Sequence, residues 1–272
     1  MDFLAPIWNS FIFNPMVNLL LWIYTVVGNY GIAIILFTLL IRLITLPFYA
    51  QQQKAMKKQQ ALTQSKEWKE MQKKYAKEKE KLSQEQMKLY RANGVNPLGG
   101  CLPALIPWPV LIALYQSITM VMGAQPEQLM DLSKHLYAFA PNLAAAVPVR
   151  PDFFGLNLAG TPDLAVPITM LIPALVLLST WVQQKMTPTP SIDPSSTQTN
   201  SSMQMMMTVM IGMFSLQFPI GLSLYWIVFG VVGIAQQYFT NGGWGNLFGN
   251  KTQLAAATPN LSKGKKDAGR KQ

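Results

Sequence analysis

The chain has 272 residues, of which 50% are hydrophobic and only 12% charged, and its formal net charge is +10. A soluble domain carries about 25% charged residues; here the charges clump and leave long uncharged stretches, which excludes a large water-soluble core and points to several membrane spans. One cysteine, Cys101, excludes an internal disulfide or a multi-cysteine metal site, and the single histidine, His135, leaves little material for metal or acid–base chemistry.

Residues 1–29 carry one charge, Asp2, with no basic region and no Ala-x-Ala-like cleavage site, so they do not read as a typical signal peptide. The apolar run from Met16 to Val27 is short for a span. Trp8, Trp22 and Tyr24 favour the headgroup zone. Asn14–Gly28 is therefore expected to form a helix lying on the membrane, with Pro15 in its first turn. A short first span is the alternative.

Tyr30 to Phe48 is long and apolar enough to cross, yet it contains Arg42. A charge at the centre of a span costs roughly 2.5–3.5 kcal/mol on insertion scales, so it needs a partner, water or a task. After Pro47 the composition flips. Twelve Lys/Arg and five Glu lie between Gln51 and Arg91, giving that segment +7. Its Ala, Gln, Lys, Glu and Met favour helix. The pattern predicts a helical hairpin over roughly 50–78 and 84–92. Ser83 caps the second arm, Gln86 closes a capping box, Leu82 staples to Met87, and Asn93-Gly94 stops the arm.

A second span is expected from Pro97 to Gly123, irregular at Pro103, Pro107 and Pro109. A polar segment holding two Lys/Arg, Lys134 and Arg150, follows to Asp163. A third span runs from Leu164 and ends at Gln183-Gln184-Lys185. A Pro/Ser/Thr linker precedes Met203–Phe239, which is long enough for two helices broken at Phe218-Pro219. The tail after Thr240 ends in a basic cluster.

The fold class expected is an all-α integral membrane protein of five transmembrane helices, an N-terminal interfacial helix and a cytoplasmic helical hairpin. Its divisions are 1–29 (extracytoplasmic), 30–48, 49–96 (hairpin), 97–123, 124–163 (extracytoplasmic), 164–185, 186–202 (cytoplasmic linker), 203–218, 219–240 and 241–272 (basic tail). Lys and Arg concentrate in the hairpin and tail, so the positive-inside rule places these in the cytoplasm and the N-terminus outside.

Every Asp and Glu falls outside the predicted helix interiors. An intramembrane aspartate pair, a serine with a base, a metal-binding motif and a phosphate-binding loop are all absent from the sequence, so no enzyme and no cofactor are expected. The same inventory leaves Arg42 without a carboxylate of this chain inside the membrane. Either its side chain snorkels about 9 Å to the cytoplasmic end, or it forms the floor of a water-filled recess. Physics alone leaves both open.

The order of features is specific. An Arg-bearing span and a basic hairpin precede Asn96-Pro97-Leu98-Gly99-Gly100-Cys101; then come Gln184-Lys185-Met186-Thr187-Pro188, Phe218-Pro219-Ile220-Gly221-Leu222 and Leu224-Tyr225-Trp226. Over roughly residues 10–240 the chain resembles the YidC/Oxa/Alb membrane protein insertases, in the compact bacterial form without a large periplasmic domain. It departs from many relatives at Pro107 and in lacking a lipoprotein signal. The resemblance implies an insertase and chaperone of the bacterial cytoplasmic membrane that works without ATP through a hydrophilic groove.

Arg42 matches the groove arginine, where a positive charge would attract an acidic substrate tail. Gln183, Ser179 and Thr180 are candidates for a polar stripe, and Tyr225 and Trp226 for aromatic contact with a substrate. Met206, Met210 and Met213 belong to a helically spaced methionine series that suits varied apolar partners; ordinary packing accounts for these residues equally well. The partners implied are nascent membrane proteins, the ribosome through the hairpin or tail, the Sec translocon and the lipid bilayer; nothing points to DNA. A small anion-binding transporter or channel is the competing reading, and no inverted repeat favours it.

Overall fold

A computed structural model of the chain describes residues 4–96, 107–123, 126–137, 147–187, 196–241 and 243–244. Cys101, the Pro97–Cys101 motif and the tail beyond Trp244 lie outside these residues.

Helix α1 is longer than expected. It comprises Leu4–Trp8, a π-helical turn Asn9–Phe13 and Asn14–Val27. The Asn14 N–H bonds back to the Asn9 carbonyl across the wide turn, directly before Pro15, which has no N–H to continue the α pattern. Gly28, left-handed at φ 72°, ends it, and Asn29 caps the next helix by accepting from the Ile32 N–H.

Helix α2, Tyr30–Thr63, runs 34 residues without stopping at Pro47, about 50 Å at 1.5 Å per residue. Pro47 removes one hydrogen bond, and the helix-favouring Gln51–Thr63 stretch carries the helix on. The first arm of the hairpin is thus a direct extension of the Arg-bearing span. The turn falls at Gln64-Ser65, and Ser65 caps α3 (Lys66–Lys74) by accepting from Trp68 N at 3.2 Å. Helix α4 spans Lys79–Ala92, so Ser83 lies inside it rather than at its cap. The two serines belong to different helices: the turn at 64–65 folds Trp68 (1% exposed) against Leu62, Tyr90 and Val95 in a small separate core, and α4 begins after Glu78 with no side-chain cap.

Among the described residues there follow α5 (Pro107–Val121), α6 (Pro126–His135), α7 (Pro167–Met186) and α8 (Ser196–Gln217). The break at Phe218-Pro219 leads to α9 (Ile220–Asn241). A two-residue antiparallel pair, β1 (Asp152–Phe153) and β2 (Leu156–Asn157), sits between α6 and α7. Part of the expected linker, from Ser196 onward, is helical and belongs to α8.

The main core joins α1 (Phe13, Val17, Leu21), α2 (Tyr30, Ile34, Phe37), α5 (Leu114, Ile118) and α9 (Leu222, Tyr225). Leu158, fully buried, covers one end: the Ile220 and Gly221 N–H groups donate to the Gly160 and Leu158 carbonyls at 2.8 and 2.9 Å. Gly221 permits this approach, because a Cβ there would lie 3.1 Å from Ile118 Cδ1 and 3.3 Å from the Leu158 carbonyl oxygen. That is the physical content of the Phe-Pro-Ile-Gly motif.

The outside of the bundle is apolar. On α2 the residues Leu39, Leu40, Leu43, Ile44 and Phe48 are exposed, while Thr38, Arg42 and Gln53 are buried. Such an inverted arrangement is stable only where the solvent is hydrocarbon. Among the described residues, four helices are long and apolar enough to cross a bilayer: Ala5–Val27, Tyr30–Thr63, Pro167–Met186 and Ile220–Thr240. Pro107–Val121 and Met205–Gln217 are shorter apolar helices. The chain is an all-α integral membrane protein.

Candidate functional site

Along the inward face of α2 the character changes after Phe37. Tyr30, Ala33, Ile34 and Phe37 pack in the apolar core, and one turn further the same face presents Thr38 and Arg42. Helix α9 lies against it and shows the matching change, from Leu222 and Tyr225 to Phe229, Gln236 and Gln237. Beyond the core the two helices enclose a cavity of about 290 Å³, with Arg42, Thr45, Tyr49 and Gln53 on α2, Tyr225, Phe229 and Gln237 on α9, and Gln183 and Thr187 at the end of α7.

Arg42 does not snorkel. It is 3% exposed and turns into the bundle. Its Nη1 donates to Gln236 Oε1 at 3.1 Å, its Nη2 donates to the Phe229 carbonyl, and the guanidinium carbon stands 3.4 Å from the centroid of the Phe229 ring. The planar guanidinium suits such stacking. Gly233 makes the room: a Cβ there would lie 2.6 Å from Arg42 Nη2 and would overlap Gln183 Nε2. Among the described residues no Asp or Glu lines the cavity. The single formal charge is therefore positive, held by neutral groups in a recess large enough for several waters.

Of the residues singled out in the sequence, Arg42, Gln183 and Tyr225 meet at this cavity. Ser179 and Thr180 do not reach it. Ser179 is buried against Gly230, where a Cβ would be 3.1 Å from its Oγ, and it donates to the Val176 carbonyl. Trp226 points into a separate small cleft with Val176, Phe214 and Phe218. Met206, Met210 and Met213 are exposed on α8, at 69%, 42% and 58%, and do not line the Arg42 cavity. The sequence reading missed Tyr49, Gln53, Phe229, Gln236, Gln237 and Gly233. A glutamine pair ending an apolar helix, at 236–237, was the available signal.

Residues 22–245 match the family model described as 60Kd inner membrane protein. The chain belongs to this family. Over 238 residues it is 37% identical to a protein of Syntrophobacter fumaroxidans named membrane protein insertase YidC, a match covering 86% of this chain and 38% of that protein. A Bacillus anthracis protein named membrane protein insertase YidC 2 is 33% identical over 87% of this chain and 82% of its own length. The Syntrophobacter relative is thus more than twice as long as the part this chain matches. A crystal structure titled as an active YidC insertase with the first transmembrane domain resolved shares the fold, with a TM-score of 0.57, 24% identity, and coverage of 84% of this chain and 45% of that one. The motifs read from the sequence and this membership agree. As a YidC-family chain with apolar helices of spanning length, it is a multi-pass protein of the bacterial inner membrane.

Proposed function

We propose that this YidC-family chain is a membrane protein insertase and chaperone, with the Arg42 cavity receiving the polar tail of a nascent substrate. The observation that carries this reading is a buried guanidinium, in a recess that mixes Thr, Tyr and Gln side chains with apolar ones, with no carboxylate among the described residues that line it. A buried charge without its counter-charge is costly, and a passing acidic tail supplies one. The Thr, Tyr and Gln side chains in the wall of the recess lower the desolvation cost of that tail. The apolar segment behind it then partitions into lipid, at about −0.3 to −0.6 kcal/mol per Leu, Ile, Phe or Val. Partitioning gives the direction, and no nucleotide is needed.

The basic hairpin and tail are oriented to the cytoplasm in this reading and contact the ribosome emerging with the substrate, alone or beside the Sec translocon. The test is depletion of the protein followed by protease protection of a short-tailed, single-span substrate. Insertion is expected to fail on depletion and to return with the wild-type chain. Arg42→Lys should restore more insertion of an acidic-tailed substrate than Arg42→Ala. Unchanged insertion on depletion would overturn the reading, and anion flux through the purified protein would then favour a transporter.

A further inference from the structure

Five buried side-chain atoms that meet no partner in good hydrogen-bond geometry belong to residues lining this one cavity: Arg42 Nε, Tyr49 Oη, Tyr225 Oη, Gln53 Oε1 and Gln237 Oε1, with the Tyr49 hydroxyl facing the Gln237 and Gln53 amides. Only four others occur elsewhere among the described residues, so unmet hydrogen-bonding capacity is concentrated here. Arg42, Gln53, Tyr225 and Gln237 are each at most 3% exposed. Such groups cost free energy until something pairs with them.

The five are of two kinds. The guanidinium N–H and the two tyrosine hydroxyls can donate, and the two amide oxygens can only accept. The orientation of the Gln237 amide follows from its neighbours. The Thr187 hydroxyl donates to the Gln183 carbonyl at 2.8 Å, so its oxygen can only accept from Gln237 Nε2, also at 2.8 Å. This leaves Oε1 as the unpaired atom. A carboxylate satisfies donors alone and would leave both amide oxygens unmet. A peptide unit carries one N–H and one C=O, and a run of them in extended form presents both kinds of partner in alternation.

We propose that the Arg42 cavity pairs with the peptide backbone of the substrate tail as well as with its acidic side chains. Gln53 and Gln237 accept from backbone N–H groups, and Tyr49, Tyr225 and Arg42 Nε donate to backbone carbonyls. Small rotations of these long side chains present the atoms to the cavity. The site then receives neutral tails of any sequence, and Arg42 adds a preference for acidic ones. Backbone groups crossing hydrocarbon are the costliest part of an unfolded tail, so these partners act on the main barrier to its passage.

This inference rests on the insertase reading, and the test separates the two. The full chain is reconstituted in liposomes, and insertion is followed for synthetic single-span peptides with a neutral Gly/Ser tail or the same tail with each glycine replaced by N-methylglycine, which lacks the N–H. Protein-free liposomes supply the background for each peptide. With wild-type protein, N-methylation is expected to slow insertion by roughly two- to tenfold, the worth of about one net hydrogen bond. Gln53→Leu and Gln237→Leu together should slow the unmethylated tail to the methylated rate and remove the difference.

Equal wild-type rates for the two tails would overturn the backbone proposal and leave the insertase reading standing; this arm needs no variant to fold. A methylation cost as large in the double variant as in the wild type would also overturn it. If wild-type protein speeds neither tail, nor an acidic one, over protein-free liposomes, both readings fall.

Discussion

A methyl group at position 233 would meet Arg42 Nη2 at 2.6 Å and overlap Gln183 Nε2. Overpacking of this kind costs about 1–3 kcal/mol, and here it acts through two polar side chains rather than through backbone. Gly233→Ala should therefore lower the thermal midpoint of the purified protein and weaken insertion of acidic-tailed substrates. Adding Gln183→Ala should recover part of the lost stability, since it vacates the volume the methyl needs. Additive effects in that double-mutant cycle would show that the two residues do not compete for space. Arg42 itself was legible in the sequence as a charge inside an apolar run with no acid to meet it. Its partners were not. Gln236, Phe229 and Gly233 lie almost 200 positions away, and only the docking of α9 on α2 brings them to the guanidinium.

At the scale of elements, the hairpin shows why local signals mislead. Ser83 is followed by a Gln at the capping-box spacing, whereas Ser65 is followed three residues later by Trp68, which is no capping-box residue. Yet Ser65 caps α3 while Ser83 sits inside α4, which starts at Lys79; Trp68 packs on Leu62 and Tyr90, its ring 5.2 Å from that of Tyr90. The apolar spans and the Phe218-Pro219 break were easier to read, since hydrocarbon length and proline chemistry act locally. Trp→Ala in a packed core costs about 3–5 kcal/mol, and the hairpin core is separate from the main one. Trp68→Ala is thus expected to loosen α3 and α4 alone. Limited proteolysis should cut faster among the lysines of Lys66–Arg91 while the membrane fragment keeps its wild-type resistance. Equal cutting of hairpin and bundle would mean that the two cores are not independent.

The whole molecule has two chemically distinct ends. At one, Lys57 of α2 donates to the Thr240 carbonyl at the end of α9, and the basic hairpin continues from the same helix. At the other, Asn29 at the start of α2 donates to the Asp152 carbonyl, and the start of α9 donates to the Gly160 carbonyl. In the orientation proposed from the positive-inside rule, the first end faces the cytoplasm. Helix α1 is the ambiguous element, because Ala5–Val27 is long enough to cross. On its contacts we propose that it lies along the end opposite the hairpin. Asn18 donates to the His135 carbonyl and accepts from the Tyr137 N–H, and Asn14 Oδ1 meets His135 Nδ1 at 2.8 Å. A crossing α1 would place Asn14 about 20 Å below Val27, whereas both ends of the Asn14–Asn29 stretch touch the segment between α5 and α7. In a background with Cys101 replaced, single cysteines at exposed Phe154, Lys77 and Ala5 decide the matter with a membrane-impermeant maleimide. Phe154→Cys and Ala5→Cys should label in intact cells, and Lys77→Cys only after permeabilisation. Labelling of Ala5→Cys from the cytoplasmic side alone would make α1 a span, and labelling of Lys77→Cys in intact cells would invert the molecule.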